Sequence, residues 1–254
     1  MASLVGKTAL VTGAARGIGA AIAVELAKRG ACVYVAANEL EDRLRKVVRA
    51  CNDANPSAQA KHGIFDFFKQ GDPEKMVTAA LKALGRIDIL VNNAGLRISK
   101  EFGEFSEKDF DQVVAVNLKA PFLVSQAVIP AMKANGGGRI INIASQMGLV
   151  TDAQISLYGL TKAALIHLTK SMSFELAPHN ITVNAVSPGP IMTEFNAERT
   201  NANPTLKARR LSYIRAGRYG RPEEVAEAVA FLASTDATYI LGHNLVIDGG
   251  YVTH

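Results

Sequence analysis

A strand that is apolar on both faces must be covered on both, and residues 87–91 have that character, with Asp88 the polar exception among Ile87, Ile89, Leu90 and Val91. Similar short, β-branched runs occupy 7–11, 32–36, 138–143, 182–186 and 244–247, with a weaker one at 62–65. Longer stretches of helical periodicity separate them. Ile18, Ile22 and Leu26 recur every four residues, and 111–131, 158–177 and 223–233 also read as helices. Strands buried on two sides and alternating with helices predict an α/β fold built on a doubly wound parallel sheet. No linker or internal repeat interrupts the pattern, so residues 1–254 read as a single domain. The irregular stretch 188–222, polar and basic with Pro and Gly at its ends, reads as a mobile substrate lid.

Composition narrows the function. A chain of 254 residues can bury roughly 70–75 % of its unfolded surface, so it needs neither disulfide nor metal to fold. The two cysteines, Cys32 and Cys51, form no CxxC pair, which fits a reducing, cytoplasmic setting. No apolar run approaches the roughly 18–20 residues of a membrane span, and the N-terminus lacks a signal-peptide layout. Lysine and arginine exceed aspartate and glutamate by 28 to 23. The charges are scattered apart from a cluster of Lys207, Arg209, Arg210, Arg215, Arg218 and Arg221, and no basic stripe with aromatic partners points to nucleic acid. The five histidines show no ligand spacing, so metal chemistry is not expected.

Thr12-Gly13-Ala14-Ala15-Arg16-Gly17-Ile18-Gly19 joins the first strand to the first helix. Glycines there allow a tight turn and close approach of the backbone to a phosphate, while the helix start presents unpaired N–H groups to it. The spacing GxxxGxG departs from the GxGxxG fingerprint. About twenty residues after such a loop an acid normally takes the adenosine ribose, yet the second strand ends Ala36-Ala37-Asn38-Glu39, with Ala37 at that place. No carboxylate then repels a 2′-phosphate, and Arg16 is placed to pair with one. NADP(H) is therefore expected over NAD(H), although a two-residue shift of register would put Glu39 there instead.

Tyr158 and Lys162 stand four apart on one helical face. Ser145 follows the strand 138–143 at its carboxyl end, where open α/β sheets bind ligands. Asn117 falls inside a helical run where asparagine is a poor former. A lysine ammonium would stabilise the Tyr158 phenolate and bring it down from its ordinary value near 10 towards the working range of an acid–base group. Ser145 could donate a hydrogen bond to a substrate carbonyl, Lys162 could also hold ribose hydroxyls, and Asn117 could anchor a water that carries protons away.

These segments, taken in order with Asn92-Asn93-Ala94-Gly95, Pro188-Gly189 and Ile247-Asp248-Gly249-Gly250, resemble the short-chain dehydrogenase/reductase family over essentially the whole chain. The resemblance implies a Rossmann-type fold with a seven-stranded parallel sheet and a catalytic set of Asn117, Ser145, Tyr158 and Lys162. It places Gly13, Ala15, Arg16, Gly17, Ile18, Gly19 and Asn38 on the dinucleotide. Asp66 and Phe67 would lie near adenine, and Asn92, Asn93, Ala94 and Gly95 beside adenosine and ribose. Pro188, Gly189, Ile191 and Thr193 would meet the nicotinamide end. A homotetramer is implied, with the helices at 111–131 and 158–177 packed between subunits. Asp88 and Asp248 are expected to be structural.

Substrate is read from Gln146, Met147 and Leu149 after Ser145, from Gln154 and Ser156 before Tyr158, and from the lid. The strand end Ala36-Ala37-Asn38 is similar to that of 3-oxoacyl-carrier-protein reductases. Against carrier-protein docking, Lys133 stands alone and His179-Asn180 takes a place where a basic residue is usual. A second resemblance, carried by Leu96-Arg97 after Asn-Asn-Ala-Gly, is to NAD-dependent sugar-acid and polyol dehydrogenases, in which Arg97 would pair with a carboxylate. A non-catalytic nucleotide-binding scaffold on the same fold is the remaining alternative.

Overall fold

The computed structural model describes residues 3–38, 41–201 and 204–253. Seven parallel strands form one sheet in the order β3-β2-β1-β4-β5-β6-β7. They are β1 Thr8–Thr12, β2 Cys32–Ala37, β3 Lys61–Ile64, β4 Ile89–Asn92, β5 Gly138–Ile143, β6 Ile181–Pro188 and β7 Asn244–Ile247. Strand order reverses between β1 and β4, and their carboxyl ends open a crevice there. On one face lie α1 (Gly17–Lys28), α2 (Glu41–Ala54) and α9 (Pro222–Leu232), burying Ile22, Leu26, Leu44, Val225 and Val229 against Val11, Val33, Val91 and Ile141. On the other lie α3 (Asp72–Leu84), α5 (Ala120–Ala134) and α6 (Ser156–Leu176), where Met76, Val124, Val128 and Leu176 cover Leu10, Leu90 and Ile140. Consecutive strand residues thus alternate between two cores, which is why Ile89, Leu90 and Val91 of β4 are all apolar.

Three expectations change. The stretch 188–222 is not irregular throughout: β6 runs on to Pro188, α7 (Glu194–Asn201) and α8 (Pro204–Tyr213) follow, and Ile191 bridges Gly220. The helix expected at 111–131 runs as α4 (Glu107–Val114), a π turn at Ala115–Lys119, then α5. Finally, the continuous helix Glu107–Ala134 is long and apolar enough to cross a membrane by length and composition, because Lys119 alone is charged between Asp111 and Lys133. Here its inner face packs on α3, β4 and β5.

Asp88 and Asp248 hold backbone. Asp88 Oδ2 accepts from Thr8 N at 3.0 Å and ties β1 to β4; Asp248 accepts from Gly250 N at 2.9 Å and Val252 N at 2.8 Å.

Candidate active site

The glycine loop is shaped from beneath by the Asn-Asn-Ala-Gly segment. Thr12 Oγ1 accepts from Asn93 N and Ala94 N, both at 3.0 Å, and Asn93 Nδ2 donates to Thr12 O at 2.9 Å and Gly13 O at 3.0 Å. The two segments lie so close that a Cβ on Gly13, whose φ is +62°, would come within 2.6 Å of Ala94 Cα. Arg16, extended, caps the start of α1 without a side-chain bond to the helix. The first-turn residues Gly17, Ile18 and Gly19 line the crevice, and the uncapped start of a helix is where an anion binds.

Two adjoining cavities fill that crevice. The one of about 530 Å³ is lined by Gly13, Ala15, Arg16, Ile18, Gly19, Ala37, Asn38, Asp66, Phe67, Asn93, Ala94, Gly95 and Thr193. The one of about 430 Å³ is lined by Arg16, Gly17, Ile18, Asn93, Gly95, Arg97, Ser145, Gln146, Met147, Tyr158, Lys162, Pro188, Gly189, Ile191 and Thr193. Arg16, Ile18, Asn93, Gly95, Leu96 and Thr193 belong to both walls, so one elongated ligand can pass between them. A dinucleotide fits this pair: a glycine-lined helix start lies midway, and Ala37 at the end of β2 brings no carboxylate. Glu39 lies outside the described residues.

Ser145, Tyr158 and Lys162 meet on the smaller cavity from two elements. Ser145 Oγ accepts from Met147 N at 3.1 Å, which leaves its own O–H to donate. Lys162, 3 % exposed, donates from Nζ to Ile143 O at 2.8 Å and lies 5.7 Å from the Tyr158 ring centre. Burial brings Lys162 down to about 8. The Tyr158 hydroxyl is not lowered as the sequence suggested. Burial raises it, against the pull of the Ser145 hydroxyl and the Arg97 charge. Arg97 Cζ lies 6.0 Å from the same ring centre.

Asn117 lies in the π turn, fully buried, and its side chain is spent within the protein. Its Oδ1 accepts from Leu96 N at 2.7 Å, and its Nδ2 donates to Leu96 O at 2.9 Å and Thr161 Oγ1 at 3.0 Å. The side chain thus braces the connection at Leu96. Gln154 also departs from expectation: at φ +63°, it donates from Nε2 to Glu101 Oε1 at 2.8 Å and lines neither cavity. Leu149 and Ser156 line neither cavity as well. The basic cluster is partly spent in ion pairs, Arg209 with Asp152 and Arg218 and Arg221 with Glu224, while Arg210 reaches the smaller cavity. Asp152 and Tyr251 line the same wall and were not legible, since no local pattern links residue 251 to Ser145.

A family model described as enoyl-(acyl carrier protein) reductase matches residues 13–252. The chain is 37 % identical to the 3-oxoacyl-(acyl-carrier-protein) reductase of Thermotoga maritima, covering 98 % of this chain and 99 % of that one. A dehydrogenase/reductase structure from Sinorhizobium meliloti superposes with a TM-score of 0.92 at 39 % identity, covering 98 % and 96 % of the two chains. The chain belongs to the short-chain dehydrogenase/reductase family. Other relatives of this short-chain dehydrogenase/reductase differ in chemistry. An NAD-dependent glycerol dehydrogenase of Listeria innocua is 38 % identical over 96 % of this chain and 93 % of its own. A candidate 2-deoxy-d-gluconate 3-dehydrogenase from Agrobacterium tumefaciens, solved with bound NADP, has a TM-score of 0.90 at 38 % identity, covering 99 % and 98 %. Like them, this short-chain dehydrogenase/reductase is an oxidoreductase.

Proposed function

We propose that the chain transfers a hydride between NADP(H) and a ketone or secondary alcohol, as a carbonyl reductase of the 3-oxoacyl type. The observation that carries this is the convergence of Ser145, Tyr158 and Lys162 on one cavity that adjoins the glycine-loop cavity. The nicotinamide supplies the hydride. Ser145 O–H donates to the carbonyl oxygen, and Tyr158, kept protonated by burial, delivers a proton to that oxygen as charge develops there. Lys162, tied to Ile143 O, lines the same cavity as the phenol, where its ammonium would hold the ribose hydroxyls of the dinucleotide. Asn117 acts through Leu96 rather than through a water on its side chain. Arg16, with no acid at Ala37, favours the 2′-phosphate of NADP(H).

A second reading, oxidation of a sugar acid or polyol with NAD, is favoured by Arg97 and Arg210 on the substrate cavity. Absorbance at 340 nm with each dinucleotide separates them. Turnover of a 3-oxoacyl thioester with NADPH supports the first reading. Activity restricted to NAD⁺ and a sugar acid overturns it in favour of the second.

The working form proposed is a homotetramer in the cytoplasm. Phe110 on α4, Phe122 on α5 and Leu160 and Phe174 on α6 present apolar surface outward, Phe174 at 87 % exposure. Sedimentation velocity checks it, and a monomer at micromolar concentration overturns it.

A further inference from the structure

We propose that Arg97 is a positioning residue whose guanidinium, together with Lys162, stabilises the negative form of Tyr158. This rests on the acid–base role given to Tyr158 above. Two cations flank one ring: Arg97 Cζ at 6.0 Å and Lys162 Nζ at 5.7 Å from its centre. They arrive from different parts of the fold, Lys162 from α6 and Arg97 from the connection between β4 and α4. The two are not equivalent. Lys162 is buried, brought down to about 8, and directs its ammonium to the Ile143 carbonyl. A guanidinium stays charged throughout the working range, so Arg97 continues to act on the phenolate where Lys162 loses its proton.

The placement of Arg97 is also built in. The residue before it, Leu96, is held by both backbone groups on the Asn117 side chain, and Arg97 Nε donates to Ser99 Oγ at 3.2 Å. Ser145 faces the phenol from the turn after β5, and the remaining charged groups on the cavity wall are Arg16, Asp152, Glu194 and Arg210. Of these, Asp152 is paired with Arg209.

The test is the pH dependence of kcat for oxidation of an uncharged secondary alcohol, where Tyr158 must accept the proton. A neutral substrate removes any part Arg97 plays in holding a carboxylate. In Arg97→Gln the limb that reports the phenol is expected to move up by about one pH unit, so the rate below that limb falls about tenfold. Arg97→Lys is expected to return the limb most of the way. An unchanged limb in Arg97→Gln overturns the proposal, as does failure of the lysine variant to restore a shifted one. A rise in KM confined to anionic substrates, with the limb in place, assigns Arg97 to substrate and overturns it too. Tyr158→Phe run in parallel separates the two levels: full turnover there removes the acid–base reading itself, whereas a dead Tyr158→Phe with an unmoved Arg97→Gln limb removes only this inference.

Discussion

Leu96 gives both of its backbone polar groups to the side chain of Asn117, its N–H to Oδ1 at 2.7 Å and its carbonyl to Nδ2 at 2.9 Å. Twenty-one residues separate the pair. One asparagine in a helix thereby fixes the connection that leaves β4, on the wall shared by both cavities.

Replacing Asn117 by alanine strands these two groups, each at roughly 1–3 kcal/mol. The expected result is a thermal midpoint lower by about 5–20 °C for a chain of this size, read by calorimetry. A shift under one degree would show that the clamp is dispensable.

Tyr158→Phe keeps the ring and removes the proton. Turnover is expected to fall by about 10²–10⁴-fold while the dissociation constant for NADPH, measured by fluorescence, changes little.

Ala37, 8 % exposed, stands at the end of β2 on the larger cavity. Ala37→Asp sets a carboxylate against a 2′-phosphate, a like-charge contact expected to weaken NADPH by about 10–100-fold and to leave NADH nearly unchanged. Fluorescence titration with both dinucleotides decides; equal weakening of the two would remove the cofactor assignment.

Gly189 has no room for a side chain, since an added Cβ would lie 2.5 Å from Asp248 Cα and 2.6 Å from Gln146 Oε1. Gly189→Ala is expected to lose about 1–3 kcal/mol. Gly103→Ala, where a Cβ meets nothing within 4 Å, serves as control and should stay within about 0.5 kcal/mol. Urea midpoints of the two variants give the comparison.

Lys162 couples stability to pH. Its folded value of about 8 lies below the ordinary 10.5, so between these the unfolded chain binds the extra proton and stability from this residue rises with pH. Below pH 8 the penalty of the buried ammonium, on the order of 3 kcal/mol, is present in full. Lys162→Met is therefore expected to gain on the wild type at pH 7 and to lose that advantage between pH 8 and 10.5. Denaturation without dinucleotide at pH 7 and pH 10 reads the change, and a gap that widens at pH 10 refutes the assignment.

Much of the framework is legible because short runs rich in Ile, Leu and Val mark the strands: β5 at Gly138–Ile143 and β7 at Asn244–Ile247 have the bounds expected of them. The helices α7 and α8 are not, because polar segments such as Glu194–Asn201 carry no apolar stripe to announce a helix. Tyr158, Lys162 and Ser145 fall together as their spacing suggests. The shift of Tyr158 does not follow from spacing, because a four-residue interval says nothing of how deeply the phenol is desolvated or that Lys162 turns to Ile143 O. Sequence adjacency draws Gln154 towards the substrate, whereas its left-handed backbone goes with a side chain turned to Glu101.

The π turn at Ala115–Lys119 sets the phase between two helices. Each residue of an α-helix advances the azimuth by about 100°, so the wider turn offsets the inward stripe of α4, marked by Val113, from that of α5, marked by Val124, Val128 and Met132. Losing one residue from 115–119 would leave the length almost unchanged yet rotate one stripe against the other by about a quarter of a circle. Side chains on the outward faces of the two helices can vary, but the number of residues between the buried stripes is the quantity that has to be kept.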